Sequence, residues 1–268
     1  MKAILTDVTK CVGCEKCVDT CAVEHSQRPN FFWRWSSKDG LSGDRFTSII
    51  RMDTETYVRK QCRHCVDPAC VAACPVGALT KTEHGAVIYD ADKCMGCRYC
   101  MMSCPYGIPR YTWQDNVPLI RKCTMCYETR LKNGKQPACT EACPEEATIF
   151  GERDELIIEA KRRLVAEPDK YIQKVYGEYE VGGTLVLYIS DVPLDILTWK
   201  KELGTKSIPK IIAPAMDAVL PVFLAVGIGM GLTYWITKRR SEVAQVEQEK
   251  RSDITPGNRS IDNEIENS

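Results

Sequence analysis

The longest apolar run of the chain lies near its C-terminus, over residues 218–236. These 19 residues carry no charge, and at a rise of about 1.5 Å per residue they nearly span a hydrocarbon core of about 30 Å. An aromatic pair, Tyr234–Trp235, stands where aromatic belts form at a membrane surface, and the basic run 238–240 follows it. The pattern predicts a transmembrane helix over 211–237, with a buried helix of a soluble protein as the alternative.

Polar segments flank this predicted helix. Residues 191–210 contain several lysines and are typical of a linker. Residues 238–268 are polar without periodicity, which is typical of a disordered tail. The remaining residues, 1–190, are therefore expected to form the folded domain.

Within residues 1–190 the apolar positions form short runs between polar loops. Strands are predicted at 2–6, 47–52, 56–60, 78–80, 86–89, 147–150 and 184–190. A turn at Glu83–Gly85 joins two of them into a β-hairpin. Helices are predicted at Cys17–Glu24 and over 153–166. The apolar face of the second helix consists of Leu156, Ile157, Leu164 and Val165.

An irregular insertion over residues 25–46 interrupts this pattern and contains no cysteine. It carries four aromatic side chains in polar surroundings: Phe31, Phe32, Trp33 and Trp35. Either they pack as a lid over the domain, or they form an exposed contact for a partner subunit, since aromatic residues are enriched in interface cores.

The chain contains sixteen cysteines, all between Cys11 and Cys143. They form groups one to four in chain order: Cys11, Cys14, Cys17, Cys21; Cys62, Cys65, Cys70, Cys74; Cys94, Cys97, Cys100, Cys104; and Cys123, Cys126, Cys139, Cys143. Basic and acidic residues balance at 36 each, so the charge gives no indication of a nucleic-acid partner. The cysteines themselves indicate metal binding.

Group three has the spacing C-x2-C-x2-C-x3-C-P, the bacterial run in which three cysteines bind one iron–sulfur cluster and the fourth binds another. Disulfides suit such tight spacing poorly. Zinc suits group four alone, whose spacing is C-x2-C-x12-C-x3-C. Sixteen thiolates in four groups predict four [4Fe–4S] clusters.

The groups belong to an internal repeat, because the order strand, cysteine loop, helix, Cys-Pro and strand recurs along the chain. Group one departs from the repeat at Ala22, where the other groups have proline after the last cysteine. Gly13 lies between its first two cysteines and allows a tight turn that brings N–H groups toward cluster sulfurs.

Other polar side chains near the cysteines have two interpretations. Seven basic residues adjoin the groups: Lys10, Lys16, Arg63, Lys93, Arg98, Arg121 and Lys122. Either they raise cluster potentials by favouring the reduced form, or they are solvated surface residues with weak effects. His64 lies in a group that is complete without it, and His25 and His84 are expected at the surface or in turns.

No motif in the sequence indicates a catalytic centre: there is no phosphate-binding glycine loop, zinc-protease helix or nucleophile elbow. A protein with several clusters and no substrate site is expected to transfer electrons. One alternative is a membrane anchor or scaffold for a catalytic subunit, with partly structural clusters. The other is an enzyme with a substrate site at an open cluster.

Residues 1–190 resemble the four-cluster ferredoxin-like subunits of respiratory molybdenum and tungsten oxidoreductases. The resemblance rests on CVGCEKCVDTC, CRHCVDPACVAACP, CMGCRYCMMSCPYGIPRY and CTMC…PACTEACP. With the C-terminal helix, the layout is similar to the beta subunit of respiratory formate dehydrogenase and the iron–sulfur subunit of quinone-linked uptake hydrogenase. It implies an α+β fold of two tandem ferredoxin-like halves that bind four clusters, plus one C-terminal transmembrane helix.

The resemblance also implies four ligand sets, A to D, which exchange their fourth cysteines between groups. Set A is Cys11, Cys14, Cys17 and Cys143, and set B is Cys21, Cys123, Cys126 and Cys139. Set C is Cys62, Cys65, Cys70 and Cys104, and set D is Cys74, Cys94, Cys97 and Cys100. Each set would bind one cluster.

The implied partners are a catalytic oxidoreductase subunit and an integral membrane subunit that exchanges electrons with quinone. No signal peptide or twin-arginine pair precedes group one, and some members of the family are exported with a partner that carries the signal. The basic run 238–240 favours a cytoplasmic C-terminus, with the cluster domain on the external or periplasmic side of the cell membrane. Lysines before the helix weaken this orientation rule: Lys200, Lys201, Lys206 and Lys210.

Overall fold

The computed structural model describes residues 1–27, 39–52, 55–113, 115–197 and 203–253. The chain divides into two units, Met1–Ile211 and Ile212–Ser268. The four aromatic residues predicted as a lid or a partner contact lie outside the described residues.

The described part of the chain contains nine strands and six α-helices. The strands are β1 Lys2–Asp7, β2 Thr47–Arg51, β3 Tyr57–Gln61, β4 Leu79–Lys81, β5 Val87–Tyr89, β6 Arg110–Tyr111, β7 Ile120–Arg121, β8 Thr148–Glu152 and β9 Val186–Ile189. The helices are α1 Lys16–Glu24, α2 Ala69–Ala72, α3 Tyr99–Ser103, α4 Ala138–Glu141, α5 Arg153–Ala166 and α6 Ile208–Asp253. Every predicted strand is present within two residues of its predicted bounds, and the two-residue strands β6 and β7 are additional.

The core of the first unit is a three-stranded sheet with β1 at its centre. β1 pairs with β8 in antiparallel and with β9 in parallel orientation, so that Leu5 lies opposite both Ile149 and Leu187. Leu5 and Leu187 are completely buried. Because β8 and β9 follow all four cysteine groups, this sheet holds the start of the domain against its end.

The remaining strands form hairpins that lead into the cysteine groups. β3 pairs with β2 and ends directly before Cys62, and β7 pairs with β6 and ends shortly before Cys123. Helices α1 to α4 each carry at least one cysteine, and α1 packs against α4 while α2 packs against α3. Groups one and four therefore form one half, and groups two and three the other, which confirms the predicted α+β fold.

Helix α5 covers the sheet through Leu156, Ala160 and Leu164, which are buried. Val165, predicted on the same face, is 78 % exposed. The buried residues recur every four positions along one side of the helix, whereas Val165 is turned about 100° away from Leu164. Ala160, and not Val165, packs in the core, because its small side chain fits close to the strands.

The segment predicted as a linker, 191–210, packs against the first unit in its described parts. Leu194 and Leu197 are each 2 % exposed. The N–H of Gly182 donates to the carbonyl of Thr205 at 2.9 Å, and the hydroxyl of Ser207 donates to the carboxylate of Asp67. Two buried leucines stabilise the segment although they are too few to produce a periodic pattern in the sequence.

Helix α6 is longer than predicted, because it ends at Asp253 and includes part of the segment predicted as a disordered tail. Residues 239–253 are rich in Arg, Glu and Gln, which have high helix propensity. They extend a helix that has already formed, so no new nucleation is needed. By length and composition, α6 is able to cross a membrane. Residues 254–268 lie outside the described residues.

Truncation after Ile211 tests whether the first unit is self-sufficient. We expect the truncated chain to lose the helical circular dichroism signal of α6 but to keep its iron content and a cooperative unfolding transition, because the core consists of residues before 211. We also expect it to leave the membrane fraction in cells that lack partner subunits. Deletion of residues 254–268 alone is the control and should leave the chain in that fraction. Aggregation of the truncated chain would contradict the assignment of the core.

Candidate metal centre

Groups one and three share one loop conformation. Gly13 and Gly96 have φ of +67° and +74°, and Glu15 and Arg98, two residues later, have φ of +59° and +62°. This left-handed region is readily adopted by glycine and is strained for other residues. In group three the turn brings the N–H of Gly96 to 3.4 Å from the sulfur of Cys94. The strained turns therefore place N–H groups against the thiols.

A second recurrent turn follows the Cys-Pro pairs. Helices α2, α3 and α4 end before these pairs, because proline cannot continue a helix. Gly77, Gly107 and Glu146, each three residues after the cysteine, have φ of +62°, +59° and +48°. Ala78 then donates its N–H to the sulfur of Cys74 at 3.2 Å. Burial acts to raise the pKa of Cys74, but the N–H groups of this turn outweigh it and lower that pKa.

The departure at Ala22 has a structural consequence. Without a proline, α1 continues to Glu24. The carboxylate of Glu24 lies 2.8 Å from Nε of Arg130, and Nε2 of His25 lies 3.6 Å from the sulfur of Cys126. His25 is half-buried, and burial lowers its pKa. His25 thus lies in a turn at the end of α1, as predicted, and the longer helix carries it to a group-four thiol.

All sixteen cysteines are free thiols. Cys14 is exposed, and the other fifteen are partly or fully buried. Burial raises the pKa of Cys17 and Cys70 to about 12 and that of Cys100 and Cys126 to about 11. A thiol has to lose its proton to bind a metal. These surroundings therefore favour the thiolate when a metal supplies the opposing charge, and soft sulfur ligands suit iron–sulfur clusters or zinc.

Two of the expected ligand sets line cavities. One cavity of about 410 Å³, including its open mouth, is lined by the thiols of set A: Cys11, Cys14, Cys17 and Cys143. Another of about 310 Å³ is lined by the thiols of set D: Cys74, Cys94, Cys97 and Cys100. Among the described residues, no three His, Cys, Asp or Glu side chains are placed to hold one metal ion. Each cavity brings together four thiols, the number that binds one [4Fe–4S] cluster.

The thiols of the other two sets also lie close together. Burial is the main effect that raises the pKa of Cys21, and Cys123, Cys139 and Cys126 raise it further. In set C, burial raises the pKa of Cys65, and Cys104, Cys62 and Cys70 add to it. The structure therefore brings together thiols that are distant in sequence.

The seven basic residues predicted near the groups divide into two classes. Arg63 and Lys122 are buried, whereas five are exposed: Lys10, Lys16, Lys93, Arg98 and Arg121. The guanidinium of Arg63 lies 4.0 Å from the ring centre of Tyr188. Lys122 lowers the pKa of Cys70 against the larger, raising effect of burial. The interpretation as solvated surface residues therefore applies to the five exposed residues, and the effect of Arg63 and Lys122 on cluster potentials stays a prediction.

Sequence reasoning missed Arg59, a buried residue of β3 that lies with the set A thiols around the larger cavity. The only available signal was a basic residue within a short strand pattern. His64 is buried, and its Nδ1 accepts a hydrogen bond from the N–H of Val87 at 2.9 Å. This bond gives His64 a structural role between two chain segments. His84 lies within the predicted turn Glu83–Gly85 and is partly exposed, as expected.

The α+β fold and its clustered thiols define a multi-cluster ferredoxin-like protein that binds [4Fe–4S] clusters. Residues 54–153 match the 4Fe-4S dicluster domain family. A protein of Nitratidesulfovibrio vulgaris is 40% identical in an alignment of 257 residues. The alignment covers 91% of this chain and 69% of that protein.

Two further relatives carry more specific names. Hydrogenase-2 operon protein HybA of Escherichia coli O157:H7 is 39% identical over 237 residues, covering 74% of this chain and 72% of HybA. The nitrate-inducible formate dehydrogenase iron–sulfur subunit of Escherichia coli K12 is 34% identical over 200 residues, covering 70% and 67%. The chain belongs to this family of iron–sulfur electron-transfer subunits of respiratory oxidoreductases.

Replacing Cys104 by alanine tests the exchange of fourth cysteines. We expect Cys104→Ala to remove the same electron paramagnetic resonance signal as Cys65→Ala, because each [4Fe–4S] cluster uses four cysteines. Each variant should lose about one quarter of the iron, since one of four clusters is missing. The signal removed by Cys97→Ala should remain. Ser103→Ala is the neighbouring control and should keep all signals. Loss of the Cys97-dependent signal in Cys104→Ala would contradict the exchange.

The turn at Gly13 should tolerate no side chain. A Cβ at this position would lie 2.4 Å from Cδ1 of Tyr57, in addition to the positive-φ strain of about 1–2 kcal/mol. Gly134 has a similar φ of +73° but no atom within 4 Å of its Cβ position, so Gly134→Ala is the matched control. We expect Gly13→Ala to reduce iron loading more strongly than Gly134→Ala. Equal iron content in the two variants would refute the steric argument.

Proposed function

We propose that this chain carries electrons through four [4Fe–4S] clusters, bound by sets A to D, between a catalytic oxidoreductase subunit and a membrane partner. The observation that carries the proposal is the gathering of thiols from separate cysteine groups into compact sets, two of which line cavities. Such clusters, when bound, store and release single electrons. The chain supplies thiols, N–H donors and shielding from water.

The order of the sets supports a linear relay. Beyond the main effect of burial, Cys139 of set B raises the pKa of Cys17 of set A. Cys62 of set C likewise raises the pKa of Cys123 of set B. Cys100 of set D raises that of Cys70 of set C. These pairwise effects support a relay in the order A, B, C and D.

Exposed apolar side chains adjoin the two end sets, where partners have to approach for electron exchange. Beside set D, Met95, Tyr99 and Met102 are 65%, 55% and 76% exposed. Beside set A, Val12 is 55% exposed. Exposed apolar groups in one area favour protein contacts. They support a docking surface at each end of the relay.

The named relatives support a catalytic partner of the hydrogenase or formate dehydrogenase type. The second proposed partner is an integral membrane subunit that reacts with quinone or contains haem. Helix α6 supports a single-pass anchor in the cell membrane. The basic run 238–240 supports a cytoplasmic C-terminus and an external or periplasmic cluster domain.

The complex purified from membranes with its natural partners tests this function. We expect about sixteen iron and sixteen acid-labile sulfide per chain, since four [4Fe–4S] clusters contain four of each. A potentiometric titration followed by electron paramagnetic resonance should show four reducible clusters on this chain, and the Cys104→Ala complex is the control with one signal fewer. Stoichiometric zinc would exclude the iron assignment. Clusters that cannot be reduced would favour the scaffold function.

A further inference from the structure

Arg59 is a buried cation without an ionic partner among the described residues. It is 2 % exposed. Its Nε donates to Oγ1 of Thr47 at 3.2 Å, and its Nη2 donates to Oε1 of Gln61. Both acceptors are neutral, so they satisfy hydrogen bonds but leave the positive charge unbalanced.

Arg59 is one of the residues around the cavity of set A. It lines that cavity together with Cys11, Cys14, Cys17 and Cys143. Its Nη1 is buried and has no hydrogen-bond partner in the described part of the chain. Buried N–H groups of charged side chains rarely lack an acceptor, so this group is available to an anionic occupant of the cavity.

Arg59 also faces set B. Burial is the largest effect on its pKa and acts to lower it, but Cys139 and Cys17, followed by Tyr188 and Cys123, raise it. Cys139 and Cys123 belong to set B, whereas Cys17 belongs to set A. The hydroxyl of Tyr188 donates to the Arg59 carbonyl at 2.8 Å and holds the strand in place. Arg59 is therefore within electrostatic reach of thiols of both sets.

An unbalanced buried charge is strongly unfavourable unless an opposite charge lies nearby. A [4Fe–4S] cluster with four thiolates is anionic, and one-electron reduction adds one negative charge. A cation in a water-excluded place stabilises that reduced form more than an exposed cation does, because the local dielectric constant is low. Lys10 and Lys16 adjoin set A in sequence but are exposed to water, so their effect is screened.

We propose that Arg59 is the shared counter-cation of the clusters in sets A and B, and that it raises the reduction potentials of both. The proposal rests on the proposed function, because it requires clusters in both sets. It assigns Arg59 a tuning role that neither the cysteine motifs nor the adjacent basic residues provide.

The test uses the whole membrane complex and potentiometric titration followed by electron paramagnetic resonance. We expect Arg59→Met to lower two of the four potentials by a tenfold or larger shift in the equilibrium between oxidised and reduced cluster, which is about 59 mV for one electron. Arg59→Lys keeps the charge, so most of the decrease in these two potentials should be absent in this variant. The two potentials that belong to sets C and D should stay unchanged and act as internal standards.

A second variant leaves Arg59 in place. Gln61 is 1 % exposed and accepts from Arg59, so Gln61→Glu provides a carboxylate of the same shape that balances the guanidinium. It should also lower the set A and set B potentials. If Arg59→Met binds fewer clusters, the Gln61→Glu variant becomes the deciding test. A decrease in the set A and set B potentials then supports the proposal, and unchanged potentials overturn it.

Lys60→Met is the matched control. Lys60 is a buried cation on the same strand, but adjacent residues of a strand point to opposite faces, and its Nζ lies 3.3 Å from the carboxylate of Asp39. All four potentials should persist in this variant, with Asp39 still paired to Arg110. Fully loaded Arg59→Met with unchanged potentials would overturn the proposal, as would equal shifts in Arg59→Met and Arg59→Lys. Fewer than four reducible clusters in the unmodified complex would instead refute the proposed function.

Discussion

The burial of thiols that have to act as thiolates is the constraint on which this domain depends. Burial alone opposes the charged form and raises the pKa of most of these cysteines. Metal binding, backbone N–H groups and nearby cations have to offset that effect. The recurrent left-handed turns, three of them at the non-glycine residues Glu15, Arg98 and Glu146, follow from this requirement, because they turn N–H groups toward sulfur.

Each proposed set takes thiols from two cysteine groups, so a bound cluster would connect distant segments of the chain. Apolar contacts connect the same segments: α1 packs on α4, α2 packs on α3, and β1 lies between β8 and β9. Cluster binding and domain folding are therefore expected to stabilise one another. The absence of proline at Ala22 fits this arrangement, because the longer α1 brings Glu24 and His25 to the group-four segment.

The effect of a charged side chain on the cysteine sites depends on how deeply it is buried and not on how near it is to a cysteine in the sequence. Several basic residues next to cysteines are exposed, and water screens them. Arg59, Arg63 and Lys122 are buried, and two of them come from or follow strand β3. The proposed role of Arg59 would give the hairpin β2–β3 an electrostatic function as well as a structural one. Helix α6 provides the described part of the second unit and is able to cross a membrane by its length and composition.

The sequence by itself determined the sixteen cysteines and their spacing, the short strands, the amphipathic helix and the long apolar helix. These are local patterns, in which chemistry and period are set by residues a few positions apart. The spacing of the cysteines predicts the class of cofactor. The exchange of fourth cysteines between groups is an expectation from the family resemblance. Local patterns did not reveal that Ala160 replaces Val165 in the core, that Leu194 and Leu197 are buried, or that α6 continues to Asp253.

Only the tertiary structure decided which thiols meet and which charged side chains lie among them. Cys17 approaches Cys139, and Arg59 comes from a strand that no cysteine motif includes. Such contacts join residues far apart in the chain, and their formation depends on how helices and sheets pack. Burial also decides which cations act strongly, since the same charge is weak in water and strong in a low-dielectric interior.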